Sequence, residues 1–248
     1  MPRYSSRYGG PSFSFGPGPL STALKYLIGA NVAIFTLQFV ADPWLTYTFG
    51  LMPIAVVREL RVWQLVTYMF LHGSVLHILF NMVALWMFGA ELEQAWGTRE
   101  FLKFYFATGV GAGVLTVLFS FLPFGFAETL RHSVVIGASG AIYAVLLAFA
   151  MRFPDRLIYL YLIVPIPAKY FVMIMGAIAF YASLGESGTA NATHLGGLLV
   201  GYLYLRGGNA HPLSEIKYRY LKWKINRTRK KFDVYSGGRS NEWDRRVH

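Results

Sequence analysis

The sequence contains no cysteine, which excludes a disulfide framework, a thiolate-ligated metal site and a cysteine nucleophile. Charge is scarce as well. Asp, Glu, Lys and Arg make up 14% of the 248 residues, against about 25% in an ordinary soluble domain. Acids number 12 against 23 Lys and Arg, which leaves a formal charge of +11. A surplus of that size suggests a nucleic-acid partner, but its distribution argues otherwise. Residues 1–25 carry Arg3, Arg7 and Lys25 and no acid; residues 206–248 carry twelve cations and four acids; the 180 residues between carry eight of each sign. Two basic tails therefore flank a neutral middle, as at the ends of a membrane protein, and no nucleic acid is expected. The first 19 residues also lack the apolar run and small-residue cleavage site of a signal peptide. Their Gly, Pro and Ser content predicts a disordered basic tail over 1–20.

What the chain has in abundance is apolar surface, at 55% hydrophobic residues. A spanning helix needs about 20 mostly apolar residues, and six stretches qualify: 22–41, 76–91, 101–122, 134–151, 168–184 and 189–205. The expected fold class is an all-α integral membrane protein, a six-transmembrane-helix bundle over 21–206 followed by a basic tail, 207–248. Pro165, Pro167 and Lys169 interrupt the run after the fourth span, so 152–167 is expected to be a loop with the fifth helix beginning near Lys169. Pro43, Pro53, Arg58, Glu59 and Arg61 break up 43–71, which reads as a long loop in or on the bilayer surface. Six spans leave both termini on one side, and the excess of Lys and Arg there identifies that side as the cytoplasm. The tail from Pro212 to Phe232 interleaves cations with Ile, Tyr, Leu and Trp. Such a segment suits the anionic inner leaflet, where each cation is worth about 1 kcal/mol.

Polar side chains at membrane depth are expensive and hence functional candidates. Three clusters qualify. His72 precedes the second span, and His77 and Asn81 lie on one face at its start. Gly137-Ala-Ser139-Gly140, with Tyr143 one turn on, opens the fourth. His194, Gly196, Gly197 and Gly201 belong to the sixth. Each has a plainer reading alone. Small residues form packing seams, a membrane histidine often bonds a neighbouring helix, and a His-x4-His pair suits an interfacial anchor or a haem or metal site. Spans two, four and six run in the same direction, however, so all three clusters reach one depth on one side. Gly197 and Gly201 share the face of His194, where they permit close approach to the Gly137–Gly140 segment. An imidazole would then meet a hydroxyl, as a nucleophilic serine requires.

These residues resemble those of the rhomboid intramembrane serine proteases: His-x4-His-x3-Asn entering span two, Gly-x-Ser-Gly opening span four, and His-x-Gly-Gly-x3-Gly in span six. The resemblance extends over about 20–206, and Leu92-Glu93 through Gly97, Arg99, Phe101 and Tyr105 look like the same family. It implies Ser139 as nucleophile and His194 as general base in a dyad without an acid or cofactor. Tyr143 would pack on His194. His77, Asn81 and the Ser139 N–H would bind the oxyanion, with His72 in support. Implied substrates are membrane proteins whose transmembrane helix is weakened near the cleaved bond; span five and its outer loop, 182–190, are the expected entry, with Gly185 and Gly188 read either as a hinge or as plain turn residues. The expected setting is a bacterial cytoplasmic membrane, and the basic tails place the serine and histidines on the side away from the cytoplasm. Glu186 is a candidate orienting carboxylate for His194, although a loop charge in water is its plainer reading. In one departure, Trp63-Gln64 stands where the family often has Trp-Arg, which puts any role for the arginine in doubt. A silent, client-binding relative and a redox or transport protein ligated through His72, His77 and His194 are the alternatives.

Overall fold

The computed structural model describes residues 20–123, 127–160, 164–183 and 189–209. The N-terminal tail, most of the C-terminal tail, Glu186 and the glycines of the expected hinge lie outside the described residues. The chain divides into two units, Met1–Leu205 and Arg206–His248, and the candidate site residues named above all belong to the first.

The described residues are mostly helical: α1 (Thr22–Ala41), α2 (Trp44–Phe49), α3 (Pro53–Arg58), α4 (Gln64–Thr67), a 3₁₀ turn (Tyr68–Phe70), α5 (Val75–Trp96), α6 (Thr98–Ser120), α7 (Ala127–His132), α8 (Ser139–Arg152), β1 (Leu157–Leu160), β2 (Val164–Pro167), α9 (Ala168–Ser183) and α10 (Thr189–Asn209). Among them, α1, α5 and α6 are long and apolar enough to cross a membrane. The shorter apolar helices α8 and α9 run 14 and 16 residues. Large apolar side chains point outward, with Phe39 73%, Phe80 69%, Met173 67% and Tyr181 80% exposed. Such a surface suits lipid and not water.

α8 is the central helix. Ala141, Ala144, Val145 and Ala148 are all buried, and α8 packs against α5 and α6 on one side and α9 on another. Small residues allow these close approaches, since lipid offers no hydrophobic drive between helices and association rests on packing. Glu93 ties the start of α1 to the end of α5. Its carboxylate accepts the Ser21 hydroxyl at 2.5 Å and the Thr98 hydroxyl at 2.6 Å, while the Ser21 oxygen caps α1 by accepting the Leu24 N–H at 3.1 Å. Gly97, at φ 83°, makes the reversal between α5 and α6.

Three expectations need correction. The helix expected over 134–151 begins five residues later, at Ser139. Val135 exchanges backbone hydrogen bonds with Leu51 at 2.8 and 2.9 Å, and the Gly137 N–H donates to the Tyr68 carbonyl at 2.9 Å; that pairing keeps 134–137 out of the helix. The expected loop over 152–167 contains an antiparallel hairpin, with Leu157 paired to Pro167 and Tyr159 to Pro165. Its prolines, which lack an N–H, sit where a two-stranded ribbon leaves an edge. The segment 43–71 is mostly helical, folded into α2, α3, α4 and the 3₁₀ turn.

Gln64 organises that segment. Fully buried, it accepts the Met52 N–H at 3.0 Å and donates to the carbonyls of Thr48 and Tyr47 at 3.3 and 3.5 Å. The Trp63 indole N–H donates to Thr48 at 3.0 Å. A neutral amide here ties the loop through both its donor and its acceptor.

Candidate active site

Ser139 is the first residue of α8. The opening N–H groups of a helix have no intrahelical acceptor, and the helix dipole places partial positive charge at the same end. A hydroxyl here therefore stands beside free backbone donors. Gly137, two residues earlier, has φ 124°, a conformation side-chain-bearing residues rarely adopt. Space requires glycine as well. A Cβ at Gly137 would lie 2.8 Å from the His77 Nε2 and 3.6 Å from the Ser139 Oγ. The missing side chain leaves a gap flanked by a hydroxyl and an imidazole.

α10 supplies the other imidazole. His194 Nε2 is 2.8 Å from Ser139 Oγ. The two helices approach this closely because Gly197 leaves no side chain between them: a Cβ there would overlap the Gly140 carbonyl oxygen. One turn further, a Cβ at Gly201 would lie 2.8 Å from the Cβ of Ala144. The expected glycine seam thus pairs α10 with Gly140 and Ala144, and Gly137 serves His77 instead. Gly140 is itself packed tightly, with Ala112, Thr193 and the Tyr68 hydroxyl each 3.1–3.2 Å from where its Cβ would be. The Thr116 and Thr193 hydroxyls, 2.8 Å apart, tie α6 to α10 beside His194.

Tyr143 lies one turn beyond Ser139, with its ring stacked on that of His194 at a 4.4 Å centroid separation and a 7° interplanar angle. This fixes the plane of the imidazole and keeps Nε2 aimed at the hydroxyl. The His194 Nδ1 is buried and has no hydrogen-bond partner among the described residues. The arrangement is a serine–histidine pair with Nε2 placed to take the Oγ proton.

The third cluster converges on the same gap. Ser74 caps α5 by accepting the His77 N–H at 3.2 Å. The Gly73 N–H donates to His77 Nδ1 at 3.3 Å. A ring nitrogen that accepts carries no proton, so the proton is on Nε2, the nitrogen facing Gly137. His77 is thereby a donor directed at the gap. Asn81, buried one turn below, uses one amide N–H on the His77 carbonyl at 3.0 Å and has a second available. The His72 ring meets that of His77 edge-on at 5.0 Å. Burial, and then the neighbouring His77, hold the His72 imidazole down to about 4, so it is neutral at physiological pH and acts through packing.

Ser139, His77 and Gly137 therefore flank one gap; His194 joins it through Ser139 with Tyr143 stacked on its ring, and Asn81 and His72 adjoin His77. Gln38 is a further residue that the sequence motifs leave out. It is a buried polar residue in the apolar α1 and accepts the His72 N–H at 2.9 Å. The criterion that selects His77, a polar side chain within a span, selects it too.

A family model described as "Rhomboid domain" matches residues 59–208. The chain is 30% identical over 190 residues to Rhomboid protease GlpG of Yersinia pestis (strain Pestoides F), covering 75% of this chain and 61% of that protein. It is 28% identical over 202 residues to Rhomboid protein 1, mitochondrial, of Saccharomyces cerevisiae, covering 78% of this chain and 55% of that one. The chain thus spans under two thirds of the length of these relatives.

Proposed function

The chain belongs to the rhomboid family, and from that premise we propose that it is an intramembrane serine endopeptidase. The observation that carries the reading is the 2.8 Å approach of Ser139 Oγ to His194 Nε2 under the stacked Tyr143 ring. As Oγ attacks the substrate carbonyl carbon, Nε2 takes its proton and the carbonyl oxygen becomes an oxyanion. The Ser139 N–H, the His77 Nε2–H and the Asn81 amide stabilise that charge. Donors placed in advance are worth about 2.7–4 kcal/mol each. Collapse breaks the C–N bond, and the departing amine receives the proton from His194. Water then attacks the acyl-serine with His194 again as base, releasing the carboxylic acid and restoring Oγ–H.

The substrates in this reading are membrane proteins. A helix binds its own carbonyls, so the scissile segment must unwind first, and Gly, Pro or small residues near the bond favour that. α8 and α9, together with α10, complete six crossings beside α1, α5 and α6. Both termini are cytoplasmic, the C-terminal tail lies along the anionic leaflet, and the site opens on the opposite side of a bacterial inner membrane.

Co-expression of wild type and Ser139→Ala with a panel of single-span reporters tests the chemistry: wild type cleaves and the variant does not. Cleavage surviving in the variant contradicts the mechanism. A periplasm-active reporter fused after Arg206 is expected to be silent, and activity there contradicts the orientation.

A further inference from the structure

His77 is useful as a donor only in one tautomer and one ring orientation, and the Gly73 N–H sets the tautomer while the His72 ring packs against it. Gly73 donates to Nδ1 at 3.3 Å, which leaves the proton on Nε2 beside Gly137. The position of Gly73 in turn depends on the short segment between the 3₁₀ turn and α5. On one side that segment faces a cavity of about 330 Å³, lined by Phe35, Gln38, Asp42, Thr46, His72 and Gly73 among others. A loop beside a void is not held by packing on that face.

It is held by a hydrogen bond. The Gln38 Oε1 accepts the His72 N–H at 2.9 Å. The Gln38 Nε2 donates to the Thr46 hydroxyl at 3.2 Å, and Thr46 in turn donates to Asp42. Gln38 is 7% exposed, so its amide is shielded from competing water. A buried N–H left without an acceptor is costly, so the segment would shift toward the room the cavity leaves.

We propose that Gln38 is a positioning residue: by holding the His72 N–H it places the Gly73 N–H on His77 Nδ1, and so keeps the His77 Nε2 proton aimed at the oxyanion gap. α1, remote in sequence from the serine and both histidines, thereby sets the donor geometry of the site. This rests on the protease reading for its catalytic meaning, though the tautomer it predicts does not.

The test uses the full-length protein in detergent. Second-order rates of fluorophosphonate labelling at Ser139 are measured for wild type, Gln38→Met, Gln38→Glu and Thr46→Val, and ¹⁵N-histidine spectra of the same samples report the His77 tautomer. Gln38→Met, similar in length but without an acceptor, should label at least tenfold more slowly, and its His77 Nδ1 should lose the resonance of an unprotonated nitrogen. Gln38→Glu, which keeps an acceptor, should recover most of the rate and the wild-type tautomer. Thr46→Val, which leaves the His72 contact in place, should stay within about threefold of wild type. Wild-type labelling in Gln38→Met, an unchanged tautomer there, or an equal loss in Thr46→Val would overturn the proposal. If wild type itself fails to label, the protease reading falls, and the tautomer comparison still decides the role of Gln38.

Discussion

Replacing Gly197 by alanine tests the geometry that brings the imidazole to the hydroxyl. The added methyl overlaps the Gly140 carbonyl oxygen and lies only 2.8 Å from its carbon. Carbon atoms in ordinary contact lie about 3.5–4.0 Å apart, so α10 must retreat from α8 by about 1 Å. Ser139 rides on α8 and His194 on α10, so the retreat lengthens the 2.8 Å Oγ–Nε2 approach. The new separation exceeds about 3.5 Å, beyond hydrogen-bond reach. A misplacement of about 1 Å typically lowers a rate by about 10²-fold, while the overpacked seam costs about 1–3 kcal/mol of stability. The assay is the initial rate of reporter cleavage in proteoliposomes, read beside thermal unfolding in detergent. Gly29→Ala serves as control. It lies on α1 with nothing within 4 Å of its Cβ, so alanine there should leave cleavage unchanged and favour the helix by about 0.5–1 kcal/mol. Wild-type cleavage by Gly197→Ala would refute the argument that close approach at this glycine forms the pair.

Tyr143→Phe keeps the ring that stacks on His194 and should stay within about twofold of wild-type cleavage, whereas Tyr143→Ala removes a ring contact worth about 0.5–1.5 kcal/mol and should slow it by about threefold to tenfold; equal rates for Phe and Ala would contradict a role for the stack. Glu93→Ala leaves the Ser21 and Thr98 hydroxyls without their shared acceptor and should destabilise the fold by about 1.5–3 kcal/mol, seen as a lowered midpoint in detergent unfolding. Thr116→Val breaks the bond to Thr193 but leaves α6 and α10 packed, and a loss near 0.6 kcal/mol is expected by the same measurement, as for typical hydrogen bonds between membrane helices.

The parts of the fold that follow from local sequence are legible in the sequence alone. α1 occupies 22–41 as its apolar run and the Ser21 cap dictate, and α9 begins at Ala168, with Lys169 beside it bonded to Asp155 at 2.7 Å. The start of α8 is not legible, because Val134, Val135 and Ile136 are as apolar as a span. The bridge from Val135 to Leu51, more than 80 residues earlier, and the Gly137 bond to Tyr68 keep them out of the helix. The hairpin over Leu157–Pro167 is hidden for a related reason: its two prolines exclude a helix but do not announce a strand. Polarity at membrane depth singles out Ser139, His77 and His194, since desolvation makes such residues costly wherever they stand. It does not reveal that Gly137 opens the gap between Ser139 and His77, because that follows from a backbone angle. Glu93 belongs to the family resemblance, yet its bonds to Ser21 and Thr98 join residues whose partnership no spacing suggests.

The central claim is that Ser139 is a nucleophile activated by His194, and covalent labelling reads it most directly without knowledge of the substrate. Full-length protein treated with a fluorophosphonate and mapped by mass spectrometry should carry the adduct on Ser139, and His194→Ala should abolish it while the variant remains folded. An unlabelled wild-type Ser139, or labelling that persists in His194→Ala, would contradict the account.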